Sequence, residues 1–196
     1  DETLDRRIEA MDLDKISKNC RIAFSGIPSD LAGPTETELA EKGIGVFTNA
    51  GSHRMDKNVA ILIPEVNPQH IESIKDQSTY DNGGFIITNA NCSSTGIAAP
   101  LAALNDAYGL KQVFISTYQA LSGAGYPGVP SLDAVGNVVP FIKGEEEKME
   151  TELAKMLGKY ENKQFKFADF KVYANCVRVP VVDGHLESLT LSMDSE

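Results

Sequence analysis

Short apolar runs alternate with helix-like segments through the first ninety residues, and that alternation constrains the fold more than any other feature of the chain. "CRIAFSGI" (20–27) runs into Gly26 near its end and is followed by "DLAGPTETELAEKG" (30–43), then by "IGVFTNAG" (44–51). "NVAILIPEVNP" and "GGFIITNAN" continue the series, with "IESIKDQ" between them. Strand, helix and strand joined by short loops predict a parallel, doubly wound sheet, because parallel neighbours need a crossover and the crossover is usually a helix.

Residues 1–91 therefore read as a Rossmann-like layer in which one element is missing. A complete dinucleotide-binding half opens with a strand and a Gly-rich phosphate turn, and "DETLDRRIEAMDLDKISKN" before Cys20 is polar and helix-like instead. The expectation is a chain that starts part of the way through a domain. From residue 92 the pattern changes. "TGIAAPLAALNDAYG" reads as a small-residue apolar helix, and "LKQVFISTYQALSGAGYPGVP" as a strand running into a Gly/Pro-rich loop. "GEEEKMETELAKMLG" (144–158) reads as an amphipathic helix with Met149, Leu153, Met156 and Leu157 on one side. "FKVYANCVRVPVV" and "HLESLTLSM" alternate as antiparallel strands do, with Asp183-Gly184 as the turn between them. This half reads as α+β.

Charge and cysteine usage narrow the partners. Eighteen basic residues against twenty-eight acidic give a net charge of −10, which argues against a nucleic-acid backbone or an anionic membrane surface. The three cysteines, Cys20, Cys92 and Cys176, are widely spaced with no CxxC pair, so neither a disulfide framework nor a metal site is expected. No apolar run approaches the roughly 20 residues that span a bilayer, and the expected compartment is a reducing cytoplasm.

Cys92 has the context of a nucleophile. In "TNANCSSTG" it lies between a strand end and a helix start, where the helix dipole and free backbone N–H groups favour thiolate and can hold an oxyanion. A small buried cap residue fits the same position. Cys20 and Cys176, beside and within apolar strands, read as core. His185 in "VVDGHLES" is a candidate base for the thiol, whereas His53 and His70 read as exposed. Arg178 is out of place in a buried strand unless it holds an anion, and a solvated strand face is the competing reading. Glu145 and Lys148, at i and i+3, share a helix face and by themselves read as a surface pair. Arg54 in "TNAGSHRM" and Gln119 in "TYQALSGAG" end strands in loops, where α/β folds place ligand contacts.

These stretches resemble aspartate-β-semialdehyde dehydrogenase of the branch found in archaea and fungi. "FSGIPSDLA", "FTNAGSHRM", "IPEVNPQH", "ITNANCSSTG", "QALSGAGYPGVPSLD", "NVVPFIKGEEEKMETE" and "CVRVPVVDGHLES" occur in the family's order over nearly the whole chain. The resemblance implies a fold of the glyceraldehyde-3-phosphate dehydrogenase-like superfamily. Residues 1–91 would be the remainder of an NADP-binding domain, and 92–196 an incomplete catalytic and dimerisation domain. It implies Cys92 as nucleophile, His185 as base and Gln119 as the residue that positions the acyl intermediate. Arg178 would hold the substrate carboxylate, Glu145 the amino group, Lys148 and Arg54 the phosphate, and Asn91 would shape the pocket. Ser25, Gly26, Ser122 and Gly123 would contact the cofactor. The implied reaction is NADP-dependent reduction of aspartyl phosphate to aspartate semialdehyde through a cysteine thioester, on the route to lysine, threonine and methionine, in a homodimer or homotetramer. The family's N-terminal phosphate turn and its C-terminal part are missing from the match, so the chain reads as the middle of such an enzyme, either a fragment or a truncated homologue. Competing readings are an acyl reductase like the archaeal malonyl-CoA reductases, the more distant N-acetyl-glutamyl-phosphate reductases, a Cys/His hydrolase, and an inactive dimerisation module.

Overall fold

A computed structural model describes residues 7–194, in which one apolar cluster packs a helix on the first sheet and a second joins the far edge of that sheet to the second sheet and its helices. Helix α1 (Leu13–Asn19) is capped by the Asp12 side chain, which accepts the Lys15 N–H. The first six residues of the helix-like N-terminal segment lie outside the described residues, and residues 7–12 are not helical. Then follow β1 (Ile22–Ser25), α2 (Ser29–Glu41), β2 (Gly45–Thr48), β3 (Ala60–Ile61), a 3-10 helix (Pro68–Asp76) and β4 (Phe85–Thr88). All the pairings in this sheet are parallel, in the order β1-β2-β4-β3.

The sheet is as the alternation predicts, except that β3 is only two residues long. The Asn67 side chain takes the Ile63 N–H at 2.8 Å and Pro64 has none to offer, so the ladder stops there. Helix α2 closes tightly on β4. A Cβ at Gly84 would lie 1.8 Å from the Ala40 carbonyl oxygen, which requires glycine at that position.

The second half contains α3 (Cys92–Tyr108), β5 (Leu110–Gln119), α4 (Ser131–Ala134), α5 (Glu145–Met156), the β6–β7 hairpin (Lys159–Glu161, Gln164–Lys166), β8 (Lys171–Arg178) and β9 (Leu186–Met193). Its main sheet differs from the sequence expectation. β8 and β9 are not neighbours, because β5 lies between them, parallel to β8 and antiparallel to β9. Asp183-Gly184 is therefore not a hairpin turn. The chain after β8 runs alongside the end of β5, where Leu121 and Ser122 donate to the carbonyls of Val181 and Val182, and so crosses to the other side.

One face of this sheet packs on α3 and α5. Val113, Ile115, Val172 and Cys176 meet Ile97, Leu101, Met149, Leu153 and Met156 there, and Ile61 of β3 and Ala90 of the loop after β4 belong to the same cluster. The opposite face exposes Phe114, Tyr118 and Tyr173, with Phe114 stacked on Tyr173 at 5.0 Å between ring centroids.

Three side chains depart from expectation in burial. Cys20 is exposed, because the apolar run forms a strand only from Ile22 onward. His70 is fully buried and bonded to Asn67 and to the Gly158 carbonyl, which joins the 3-10 helix to the end of α5. His53 is buried between Asp56 and the Gly33 carbonyl. Each histidine satisfies both ring nitrogens on the protein, and this is what permits burial of a polar ring.

Candidate active site

The carboxyl ends of the parallel strands open into a cavity of about 1150 Å³, whose wall includes Asn49, Arg54, Asn89, Asn91, Cys92 and Lys148. Ligands of open α/β sheets bind in such a crevice. Cys92 is exposed there as the first residue of α3. Asn91 is the helix cap, and its Oδ1 accepts the N–H groups of Ser93 and Ser94 at 3.0 and 3.3 Å.

The cap changes the expected electrostatics of the thiol. The Ser94 N–H is taken by Asn91, and the Ser93 N–H is shared between Asn91 and the sulfur. The protein packed around the sulfur, and then the Glu145 carboxylate, push the Cys92 thiol above its ordinary value despite the opposing backbone N–H groups. At rest Cys92 is a thiol, where its position alone predicts a thiolate.

Glu145 is the hub of the site. As the first residue of α5 it is 7% exposed, and its carboxylate accepts Asn91 Nδ2 at 2.8 Å, Gln119 Nε2 at 3.3 Å and Lys148 Nζ at 2.8 Å. Burial acts to raise its pKa, but these donors, Lys148 foremost, outweigh burial and hold Glu145 below the usual carboxylate range. Glu145, Lys148, Asn91, Gln119 and Cys92 thus form one cluster, drawn from the starts of α3 and α5 and the end of β5.

Arg178 and His185 form a second group beside it. Arg178 is paired in register with Gln119 at the ends of β8 and β5, is 6% exposed, and donates from Nη1 to the Ala120 carbonyl at 2.8 Å. The half-buried His185 accepts the Ala120 N–H at Nδ1, 3.1 Å away. A neutral imidazole that accepts at Nδ1 carries its proton at Nε2. His185 therefore presents a proton donor in this arrangement, where the sequence reading calls for a base.

The remaining candidates are placed differently from one another. Arg54 is 7% exposed, and three of its N–H donors are committed: Nε to Asn89 O and Nη2 to Asn49 O, both at 2.8 Å, and Nη1 to Glu152 at 2.9 Å. Ser25 donates to buried Glu36, and Gly26 has open space around it. Ser122 lies in the exposed loop beside Val182. Gly123 packs under the second group, where a Cβ would lie 2.8 Å from both Arg178 Nη1 and His185 Cε1.

Sequence reasoning missed Glu152 and Lys155, which are 2% and 1% exposed. Both were hidden among the charges of α5. The periodicity offered a signal for Glu152, since Glu145, Met149, Glu152 and Met156 follow one another at i+4, i+7 and i+11 on one helix face. Among the described residues no helix is long and apolar enough to cross a membrane, and no group of His, Cys, Asp and Glu is arranged to hold a metal.

Two family models match the chain: the semialdehyde dehydrogenase NAD binding domain over residues 1–74 and the semialdehyde dehydrogenase dimerisation domain over residues 101–196. The aspartate-semialdehyde dehydrogenase of Archaeoglobus fulgidus is 47% identical over 190 residues, covering 96% of this chain and 55% of that protein. The Methanothermobacter thermautotrophicus enzyme is 48% identical over 176 residues, covering 89% and 50%. The Schizosaccharomyces pombe enzyme is 42% identical over 189 residues, covering 94% and 53%. Among solved structures, the Candida albicans aspartate semialdehyde dehydrogenase with NADP superposes with a TM-score of 0.80 at 38% identity, over 89% of this chain and 51% of that one. The chain spans about half the length of the curated relatives it matches.

Proposed function

The chain belongs to the semialdehyde dehydrogenase family, and on that premise we propose that its site serves an NADP-dependent aspartate-semialdehyde dehydrogenase. The observation that carries this reading is the cluster in which an exposed thiol, a buried carboxylate and a lysine meet at the mouth of one cavity. A substrate with an ammonium, a carboxylate and a phosphate needs an anion, a cation and a second cation around the reacting carbonyl. Glu145, Arg178 and Lys148 supply those charges.

In this reading Lys148, whose side chain is 43% exposed, takes the phosphate, and Arg54 adds positive charge from behind. Arg178 holds the substrate carboxylate and Glu145 its amino group, with Asn91 shaping the pocket. Cys92 loses its proton to solvent and its sulfur adds to the carbonyl. His185, protonated at Nε2, donates to the oxygen that gains charge, while Gln119 positions the acyl group. With aspartyl phosphate the new C–S bond replaces the C–O bond to phosphate, and phosphate departs toward Lys148.

The crevice at the strand ends has room for a nicotinamide nucleotide beside Cys92, and Ser25, Gly26, Ser122 and Gly123, which lie outside its wall, are proposed as further cofactor contacts. NADP supplies the two-electron step between thioester and aldehyde. Residues 1–91 then belong to the nucleotide-binding domain and 92–196 to the catalytic and dimerisation domain. The physiological direction is reductive, toward lysine, threonine and methionine, in the cytoplasm. The uncovered Phe114, Tyr118 and Tyr173 face fits a second copy of the chain in a homodimer or homotetramer.

The test is phosphate-dependent reduction of NADP by aspartate semialdehyde, using the whole protein that carries this chain and its Cys92→Ala form. Activity that requires both phosphate and Cys92 supports the reading. Phosphate-independent activity, or activity without the thiol, overturns it.

A further inference from the structure

Glu152 has no role in the chemistry above, yet it is one of the most buried charged groups among the described residues, and it reaches the loop that carries the nucleophile directly through one oxygen and through Arg54 from the other. Oε2 accepts the backbone N–H of Asn91 at 2.7 Å, and Oε1 accepts Arg54 Nη1 at 2.9 Å. Arg54 in turn donates from Nε to the Asn89 carbonyl. The peptide on each side of Ala90 is therefore fastened to the same ion pair, one through an oxygen and the other through an N–H. One turn further along α5, Lys155 donates to the carbonyls of Arg54 and Asp56 at 2.6 and 2.9 Å, and so ties down the segment that presents Arg54.

Stability alone explains this arrangement poorly. Burial raises the pKa of Glu152 in spite of Arg54 beside it, so the carboxylate is held at a cost. Buried ion pairs are often no more stabilising than apolar residues of the same volume. What an ion pair adds is direction, because its hydrogen bonds fix the orientation of the groups they reach. The group reached here is the residue immediately before Cys92, which is also the cap of α3.

We propose that Glu152 is a positioning residue for Cys92: with Arg54 it clamps the Asn89–Asn91 corner between β4 and α3, and thereby aims the first-turn N–H groups of α3 at the sulfur. The inference rests on Cys92 being the nucleophile of the proposed reaction. The charged groups around Glu152 are Arg54 from the loop after β2 and Lys148 and Lys155 from its own helix, and the carboxylate that acts on Cys92 is Glu145.

The experiment is the rate of iodoacetamide alkylation of Cys92 against pH, read by peptide mass spectrometry in the unmodified chain and in the Glu152→Gln and Glu152→Asp variants. Cys20, exposed and remote from the site, is the internal standard. A loosened corner withdraws N–H groups from the thiolate, so the Cys92 profile should move up by about half a pH unit in both variants, roughly a three-fold lower rate at neutral pH. A pure charge effect has the opposite sign, because removing a carboxylate makes a nearby thiol more acidic. Glu152→Asp keeps the charge and isolates the geometry.

A profile that stays put or moves down overturns the proposal, even where the variants melt earlier, since loss of a buried pair lowers Tm whatever its role. Should neither variant fold, amide exchange in the unmodified chain decides. A clamped Asn91 N–H exchanges far more slowly than exposed loop amides, and exchange at loop rate overturns the proposal. If unmodified Cys92 shows no profile distinct from that of Cys20, the reading of Cys92 as nucleophile fails, and this inference fails with it.

Discussion

Arg178 and His185 grip Ala120 from opposite sides, the guanidinium donating to its carbonyl at 2.8 Å and the imidazole Nδ1 accepting its N–H at 3.1 Å. Two side chains seven residues apart, from the end of β8 and just before β9, are thus referred to one backbone unit at the end of β5, directly after Gln119. Their spacing is set by main-chain geometry, which is far stiffer than a pair of long side chains reaching through solvent.

Gly123 is the floor under that pair. A methyl group there would overlap both Arg178 and His185, so Gly123→Ala should displace them together. Misplacement by about an ångström costs on the order of a hundred-fold in rate. The loop is exposed, so Tm should change little. Gly33→Ala in α2, where a Cβ meets only the Ser52 side chain at ordinary van der Waals distance, is the control and should retain near-normal turnover. Steady-state kinetics of the two variants separate a role for Gly123 in packing from one in cofactor contact.

Glu145 lies close enough to act on the nucleophile as well as on a substrate. Its charge, after burial, pushes the Cys92 thiol upward, so Glu145→Gln should shift the alkylation profile of Cys92 to lower pH while weakening binding of an amino-bearing substrate. The burial contribution remains in the variant, so the shift is partial. The measurement is iodoacetamide reactivity against pH, and an upward shift would contradict the assignment.

Lys155 offers a test by stability. Burial lowers its pKa from 10.5 to about 8. Between those values the folded chain has released this proton and the unfolded chain retains it. The unfolded state then binds more protons, and stability rises with pH by up to about 1.4 kcal/mol per unit. Below about pH 8 both states are protonated and the slope vanishes. In urea denaturation the wild-type chain should gain on Lys155→Met between pH 8 and 10, and parallel curves would refute the shift.

The two halves of the chain were unequally legible in its sequence. The parallel sheet could be read because each apolar run is followed by its own crossover, a local pattern. The second sheet could not, because β5 is inserted between two strands that follow it by more than fifty residues, and alternation marks a strand without naming its neighbours. The site candidates on strand and helix ends were legible from residue type and position. Glu152, Lys155, His53 and His70 were not, since each is buried by a partner distant in the chain, such as Arg54 for Glu152 and Gly158 for His70. Cys92 shows both sides. Its place at a helix start is plain in "TNANCSSTG", but its thiol state depends on Glu145, which is fifty-three residues away in sequence and adjacent in space.

In the proposed reaction Cys92 accepts an acyl group from aspartyl phosphate, and this half-reaction needs no nucleotide. The protein would be mixed with aspartyl phosphate, and the acyl group located by intact mass and peptide mapping as phosphate is released. The expected result is one thioester-linked aspartyl group on Cys92, none on Cys20 or Cys176, and none in Cys92→Ala. No adduct, or an adduct spread over the cysteines without preference, would contradict it.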